Sequence, residues 1–292
     1  MSVCEKRIDT PLLLVYNNSD LKFGERICVM NCLTDWNCRL LLRGDPLFGD
    51  HAELVRAFSL CVERFGIKRF CMMPTFDPQA ESVARFLLRR ERMLESLTPL
   101  LPSGARLRMG ASVLLSPGIF AEQDLHKLTL PASHYLPLDL PIGEWADWLD
   151  LEINRLLYRA KQRLLFLSVE RYPIFYPKDV LDRLMRIPNA VYQFNYRALA
   201  DPASVALIRS LLHQGTTILL GTATEDPYKL GFYEMEHYLT SADASLSRAE
   251  LSSLLLEQQT GMFNLIWVAL VICILLICHK TLSFLVMLML LN

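Results

Sequence analysis

"RLLFLSVERYP", residues 163–173, is the stretch that decides how this chain folds. From Leu164 to Val169 every residue is apolar except Ser168. Apolar residues in succession, rather than in alternation, mark a strand covered on both faces, the habit of parallel sheets. The run then passes directly into Glu170-Arg171-Tyr172-Pro173, which is charged, aromatic and stopped by proline. In a closed parallel sheet, ligand-binding groups gather at the C-terminal ends of the strands. From position alone, Arg171 serves equally well as a fork for a phosphate or carboxylate and as an ion pair closing the rim.

The same pattern recurs on either side. Residues 26–33, 68–74, 106–115, 134–141, 189–195 and 216–223 read as further strands. Helical patterns separate them. The helix over 50–66 has Asp50 at its front and Gly66 at its end, and the one over 201–215 runs from Asp201 to Gly215. Others cover 78–101, 143–162 and 177–187. Strand-then-helix units repeated along one chain predict an α/β fold with a parallel sheet. Seven of them favour barrel-like closure over an open sheet.

Composition bounds the function. The chain has 292 residues, is 52% hydrophobic and carries a net charge of −1. That balance excludes a broad electrostatic attraction to nucleic acid, while leaving room for local basic patches. The hydropathy is concentrated at the C-terminus, where "LIWVALVICILLIC" fills 265–278 and "LSFLVMLMLL" follows at 282–291. As a helix, this stretch would reach ~40 Å, against about 30 Å for a bilayer core. We read 262–291 as a membrane anchor, crossing from Met262 to near Leu282 with Lys280 reaching toward an interface. The other reading is a buried or oligomer-forming helix. The N-terminus lacks the charged-then-apolar pattern of a secretory signal, so the expected arrangement is a single-pass tail anchor with a cytoplasmic head. Residues 1–25 read as an added arm and 26–261 as the barrel domain. The eight cysteines show neither a disulfide framework nor metal-ligand spacing, which points to reduced, buried thiols.

Several strand ends carry short signatures in order: Asp35-Trp36-Asn37-Cys38-Arg39, Met73-Pro74-Thr75, Gly110-Ala111-Ser112, Tyr135-Leu136-Pro137-Leu138-Asp139-Leu140-Pro141, Ser168-Val169-Glu170-Arg171-Tyr172, Gln193-Phe194-Asn195 and Thr222-Ala223-Thr224-Glu225. Together they resemble the PHP-domain (polymerase and histidinol phosphatase) tyrosine phosphatases of bacterial capsule and exopolysaccharide systems. The resemblance implies a distorted (β/α)7 PHP-type barrel, here followed by a C-terminal transmembrane helix. It also implies a manganese site that polarises phosphate and generates hydroxide. The family has Asp-x-His-x-His where this chain has Asp35, Asn37 and Arg39. Its next histidine is Thr75, its bridging glutamate Ser112, its strand-five histidine Ser168, and its last aspartate and histidine Ala223 and Glu225. Asp139 keeps a carboxylate, and Arg171 matches the family's phosphate-binding arginine.

Divalent ions want oxygen and imidazole ligands. Arg39 instead brings a charge that cannot be lost by deprotonation. At ~4 Å it would repel an ion by about 4 kcal/mol per ionic charge at an effective dielectric of 20. The expectation is therefore a degenerate member without hydrolytic activity or resident cofactor. Tethered to a membrane, it would bind a phosphorylated protein or another anionic ligand through Arg171 and Arg39, without nucleic acid, in a binding or regulatory role in polysaccharide synthesis. The alternative is an active, manganese-dependent phosphoesterase with a rebuilt site. There, Asp35, Asp139 and Glu225 would share one metal, Asp139 would act as general base, or Cys38 beside Arg39 would be a nucleophile. A third reading is an inert head whose tail drives oligomerisation.

Overall fold

The computed structural model describes residues 33–39, 51–121, 124–130, 133–223, 245–247, 250 and 253–254. Among these, the strands are β1 (Leu33–Cys38), β2 (Ile67–Met72), β3 (Thr75–Phe76), β4 (Arg106–Met109), β5 (Ser112–Leu114), β6 (Tyr135–Asp139), β7 (Arg163–Phe166), β8 (Val191–Asn195) and β9 (Ile218–Gly221). All pair in parallel, in the orders β1-β2-β4 and β3-β5-β6-β7-β8-β9. The expected strand over 68–74 is thus broken between Met72 and Thr75, and the one over 106–115 between Met109 and Ser112. Pro74 has no N–H to give to a ladder, which accounts for the first break. At the second, Gly110 packs closely, and a Cβ there would stand 2.9 Å from Leu130 Cδ2 and push that side chain aside.

The last strand returns to the first. Ala223 N–H donates to Asn37 O at 2.7 Å. A Cβ on Gly221 would meet Asn37 N at 2.6 Å, so only glycine permits this approach. The strands therefore form a ring, and the apolar side chains divide between its two surfaces. Leu164 and Phe166 join the large cluster that packs beneath the helices. Leu165 and Leu167 join a smaller cluster with Trp36, Met73, Val191 and Leu219, contributed from around the ring. Residues two apart on one strand share a face, so the small cluster fills the interior and the large one the outer layer. This is why "LLFL" is apolar at every position.

The helices follow the sequence closely, with corrected ends. They are His51–Phe65, Val83–Leu97, Asp147–Asn154, Tyr172–Phe175, Lys178–Leu184 and Pro202–His213. Gly66 ends the first with φ +64°. Ser82 caps the second by accepting from Arg85 N, so it starts later than residue 78. Asp201 caps the last through Ser204 N at 2.9 Å. The helix read over 143–162 is α-helical only to Asn154 and continues as a π turn over Arg155–Arg159. The expected first strand, 26–33, is corrected too. The described strand begins at Leu33 and runs on through Asp35 and Asn37; residues 26–32 lie outside the described residues. No helix among the described residues is long and apolar enough to cross a membrane. The arm, 1–25, and the tail, 262–291, lie outside them.

Candidate functional site

Parallel pairing puts the C-terminal ends of all strands at one mouth. Asp139 ends β6 there and is the hub of the cluster. Arg39, just past β1, donates from Nη2 to Asp139 Oδ2 at 3.0 Å and to Ser112 Oγ at 3.2 Å. Arg171 donates from Nη2 to the other oxygen, Asp139 Oδ1, at 2.5 Å. Ser112 Oγ lies 3.4 Å from Asp139 Oδ2. One carboxylate is thus held between two guanidinium groups.

The side chains of Arg39 and Arg171 are 14% and 22% exposed, so the cluster is half-buried and reachable from solvent. Burial opposes the Arg171 charge, but the charge and hydrogen bond of Asp139 more than offset it, holding the guanidinium above its ordinary value. Arg171 Nε also donates to Ser168 O at 3.3 Å. Its Nη1 group makes no hydrogen bond to the described residues.

A second network supports this one. Ser168 turns the chain out of β7 in the left-handed region, φ +50°. A non-glycine residue there is held by its surroundings. Here Ser168 N–H donates to Gln193 Oε1 at 2.9 Å, and Asn37 Nδ2 donates to the same oxygen at 3.0 Å. The Gln193 amide then donates to Phe194 O at 2.6 Å and Asn195 Oδ1 at 3.2 Å. Asn195 gives both its N–H and its amide to Glu170. Burial raises the Glu170 carboxyl above its ordinary range, against these backbone bonds and the nearby charges of Arg197 and Arg171. Glu170 therefore anchors β7 to β8 and faces away from solvent.

Asp35 plays a different part. It is 1% exposed. It accepts from Thr222 N at 2.9 Å, Thr222 Oγ1 at 2.7 Å and Asn37 N at 3.2 Å. Burial raises its carboxyl above the ordinary range, and the bonds from Thr222, Asn37 and Cys38 pull it back in part. It clasps β9 to β1.

Of the sequence candidates, Arg39, Asn37, Ser112, Asp139, Ser168 and Arg171 come together at the mouth. Thr75 is exposed, and its carbonyl accepts from Arg89 Nη2 at 2.9 Å. Ala223 closes the ring, with φ +47°. Glu225 lies outside the described residues. Cys38 is 1% exposed within β1, so a nucleophilic role there lacks access. Gln193 and Thr222 belong to the strand-end signatures but stand outside the candidate site residues; the structure adds Gln193 as the link between Asn37 and Ser168 and Thr222 as the partner of Asp35.

The donor set can be tested against a divalent ion. No group of three or more His, Cys, Asp and Glu side chains with metal-holding geometry occurs among the described residues. Both Asp139 oxygens face guanidinium groups, and Asp35 is saturated by neutral donors. A divalent cation at this place would have to displace Arg39 or Arg171 and share their charge. The described side chains do not fit manganese.

No protein-family model and no curated protein matches the chain. Among solved structures, it is similar to one described as "Crystal structures of YwqE from Bacillus subtilis and CpsB from Streptococcus pneumoniae, unique metal-dependent tyrosine phosphatases". The TM-score is 0.59 at 15% identity, covering 80% of this chain and 95% of that one. The likeness shows a mixed α/β fold of the CpsB/YwqE kind, built from parallel sheets.

Proposed function

We propose that this chain is a degenerate PHP-type (β/α)7 barrel whose mouth binds an anionic group and does not hydrolyse it. The single observation that carries the reading is the Arg39–Asp139–Arg171 cluster. It gathers two guanidinium groups on one carboxylate at a partly exposed mouth, which supports recognition of an anion there. A phosphate or carboxylate on a protein partner matches that chemistry: a guanidinium forks onto such oxygens, and a charge-assisted bond outlasts a neutral one. The apolar run at 262–291 supports tethering to a membrane, with the head acting as a binding or regulatory unit. A place in capsule or exopolysaccharide synthesis rests on the family resemblance alone.

Full-length protein in detergent, titrated with a fluorescent phosphotyrosine peptide, tests this. Binding should saturate, and Arg171→Ala should weaken it about tenfold or more, the scale of a lost charged hydrogen bond. No phosphate should appear with manganese present. Manganese-dependent release of phosphate, abolished by Asp139→Ala, would overturn the proposal in favour of a rebuilt enzyme.

A further inference from the structure

The loops that leave β6 and β7 carry more than the clamp. Both emerge at the mouth, and they are tied together there. Arg171 reaches Asp139, and beyond that pair the Tyr176 hydroxyl donates to Pro141 O at 2.5 Å. The Tyr176 ring meets Trp145 edge-on at 5.1 Å and lies 5.3 Å from the Tyr172 ring. Tyr172 is buried, and its hydroxyl donates to Leu167 O at 3.0 Å. These aromatic residues pack on the inner side and hold the two loops next to each other.

What the same loops leave outside is apolar. Ile142, next to Pro141, is 61% exposed; Ile174 is 75% exposed and Phe175 37%. Pro173 and Pro177 beside them are exposed as well. A single exposed apolar residue needs no explanation, but several gathered beside a polar cluster mark a contact surface. Ile142 stands three residues past Asp139, and Ile174 stands three past Arg171. Three residues of chain span at most roughly 11 Å, so the apolar groups flank the clamp. Consecutive residues of an extended peptide rise about 3.4 Å each. A side chain one to three positions from a clamped anion therefore falls within the same reach. A broad anionic surface laid here would meet the exposed carboxylates Glu144 and Asp147 of the first loop. A single anionic side chain needs only the guanidinium pair.

We propose that Ile142, Ile174 and Phe175 form a docking shelf for an apolar side chain that flanks the bound anion. The partner is then a protein segment in which an acidic or phosphorylated residue has an apolar neighbour. The guanidinium pair supplies the charge complementarity, and the shelf adds affinity by removing apolar surface from water. The inference rests on the reading of the mouth as an anion site, and it adds which anionic segments that site prefers.

The test titrates the full chain in phosphatidylcholine nanodiscs with three labelled peptides: phosphotyrosine flanked by leucines, phosphotyrosine flanked by serines, and the leucine peptide without phosphate. Empty discs give the background. The leucine-flanked phosphopeptide should bind roughly fivefold tighter or more than the serine-flanked one, part of what burying one leucine side chain is worth. The peptide without phosphate should not saturate. The variant Ile142→Ser/Ile174→Ser should bind the serine-flanked phosphopeptide unchanged and lose the preference. If that variant does not fold, the two phosphopeptides on the wild-type chain decide alone. Equal binding of both phosphopeptides would overturn the shelf and leave the anion site standing. Binding of neither would overturn both. Equal binding, with hydrogen exchange over 141–142 and 173–175 slowed when phosphatidylglycerol is added to the discs, would assign the apolar groups to lipid and overturn the proposal.

Discussion

Asp35 and Asp139 stand at two ends of the same story. Both are carboxylates on the parallel strands, and both hold strands together. Asp35 is sealed in the β1–β9 seam among neutral donors, and burial raises its carboxyl. Asp139 is at the solvent-facing mouth between two arginines. The first has become a buried hydrogen-bond clasp. The second is an ion-pair clamp between two guanidinium groups. The difference teaches that each buried carboxylate needs partners, and that the kind of partner decides whether the place can meet a ligand.

The largest effect should come from breaking the clamp. Asp139→Ala strands two half-buried guanidinium groups against each other, and losing one partner of a buried pair costs about 3–5 kcal/mol. With both arginines partly solvated, the lower end of that range applies, read by urea denaturation. Next comes the seam. Gly221→Ala forces a methyl group to 2.6 Å from Asn37 N, against backbone that cannot swing aside. Overpacking of this kind costs about 1–3 kcal/mol, and the same denaturation series should show it. A loss at the seam equal to that at the mouth would blur the comparison.

Ser112→Ala should cost only about 1 kcal/mol, the worth of a hydrogen bond whose partners keep others. A double-mutant cycle with Arg39→Met should show coupling between the two positions. The smallest change in stability, and the most diagnostic, belongs to Asp35→Asn. A carboxyl raised in the folded state adds stability that is complete below the unfolded carboxyl range, about pH 4. That contribution is lost as pH rises through the folded value. Wild-type stability should therefore contain a component that falls from about pH 4 upward, and Asp35→Asn should flatten it. An unchanged pH profile would mean that Asp35 is ionised throughout and that the two carboxylates are not so different.

Much of this was legible in the chain. "LLFL" announced a strand covered on both faces because interior and outer layers each claim alternate residues. Gly66 and Asp201 marked helix ends through local chemistry that needs no tertiary partner. Arg39, Asp139 and Arg171 were identifiable from their places at strand ends. Their mutual pairing was not, because it joins residues 100 and 32 positions apart and depends on side-chain reach across the mouth. The breaks at Pro74 and Gly110 were hidden for a similar reason: the apolar pattern continues across them while the backbone ladder changes partners. Gln193 stands in a strand-end signature, but its role, joining Asn37 to Ser168, exists only once β1, β7 and β8 are neighbours.

The central claim is that guanidinium groups have taken the place of a metal centre. Crystals of the full chain grown with excess manganese, with diffraction collected at a wavelength where manganese scatters anomalously, test it most directly. The account predicts no anomalous peak at the mouth, and Arg39 and Arg171 both still on Asp139. A manganese peak bound by Asp139, with either arginine swung away, would contradict it.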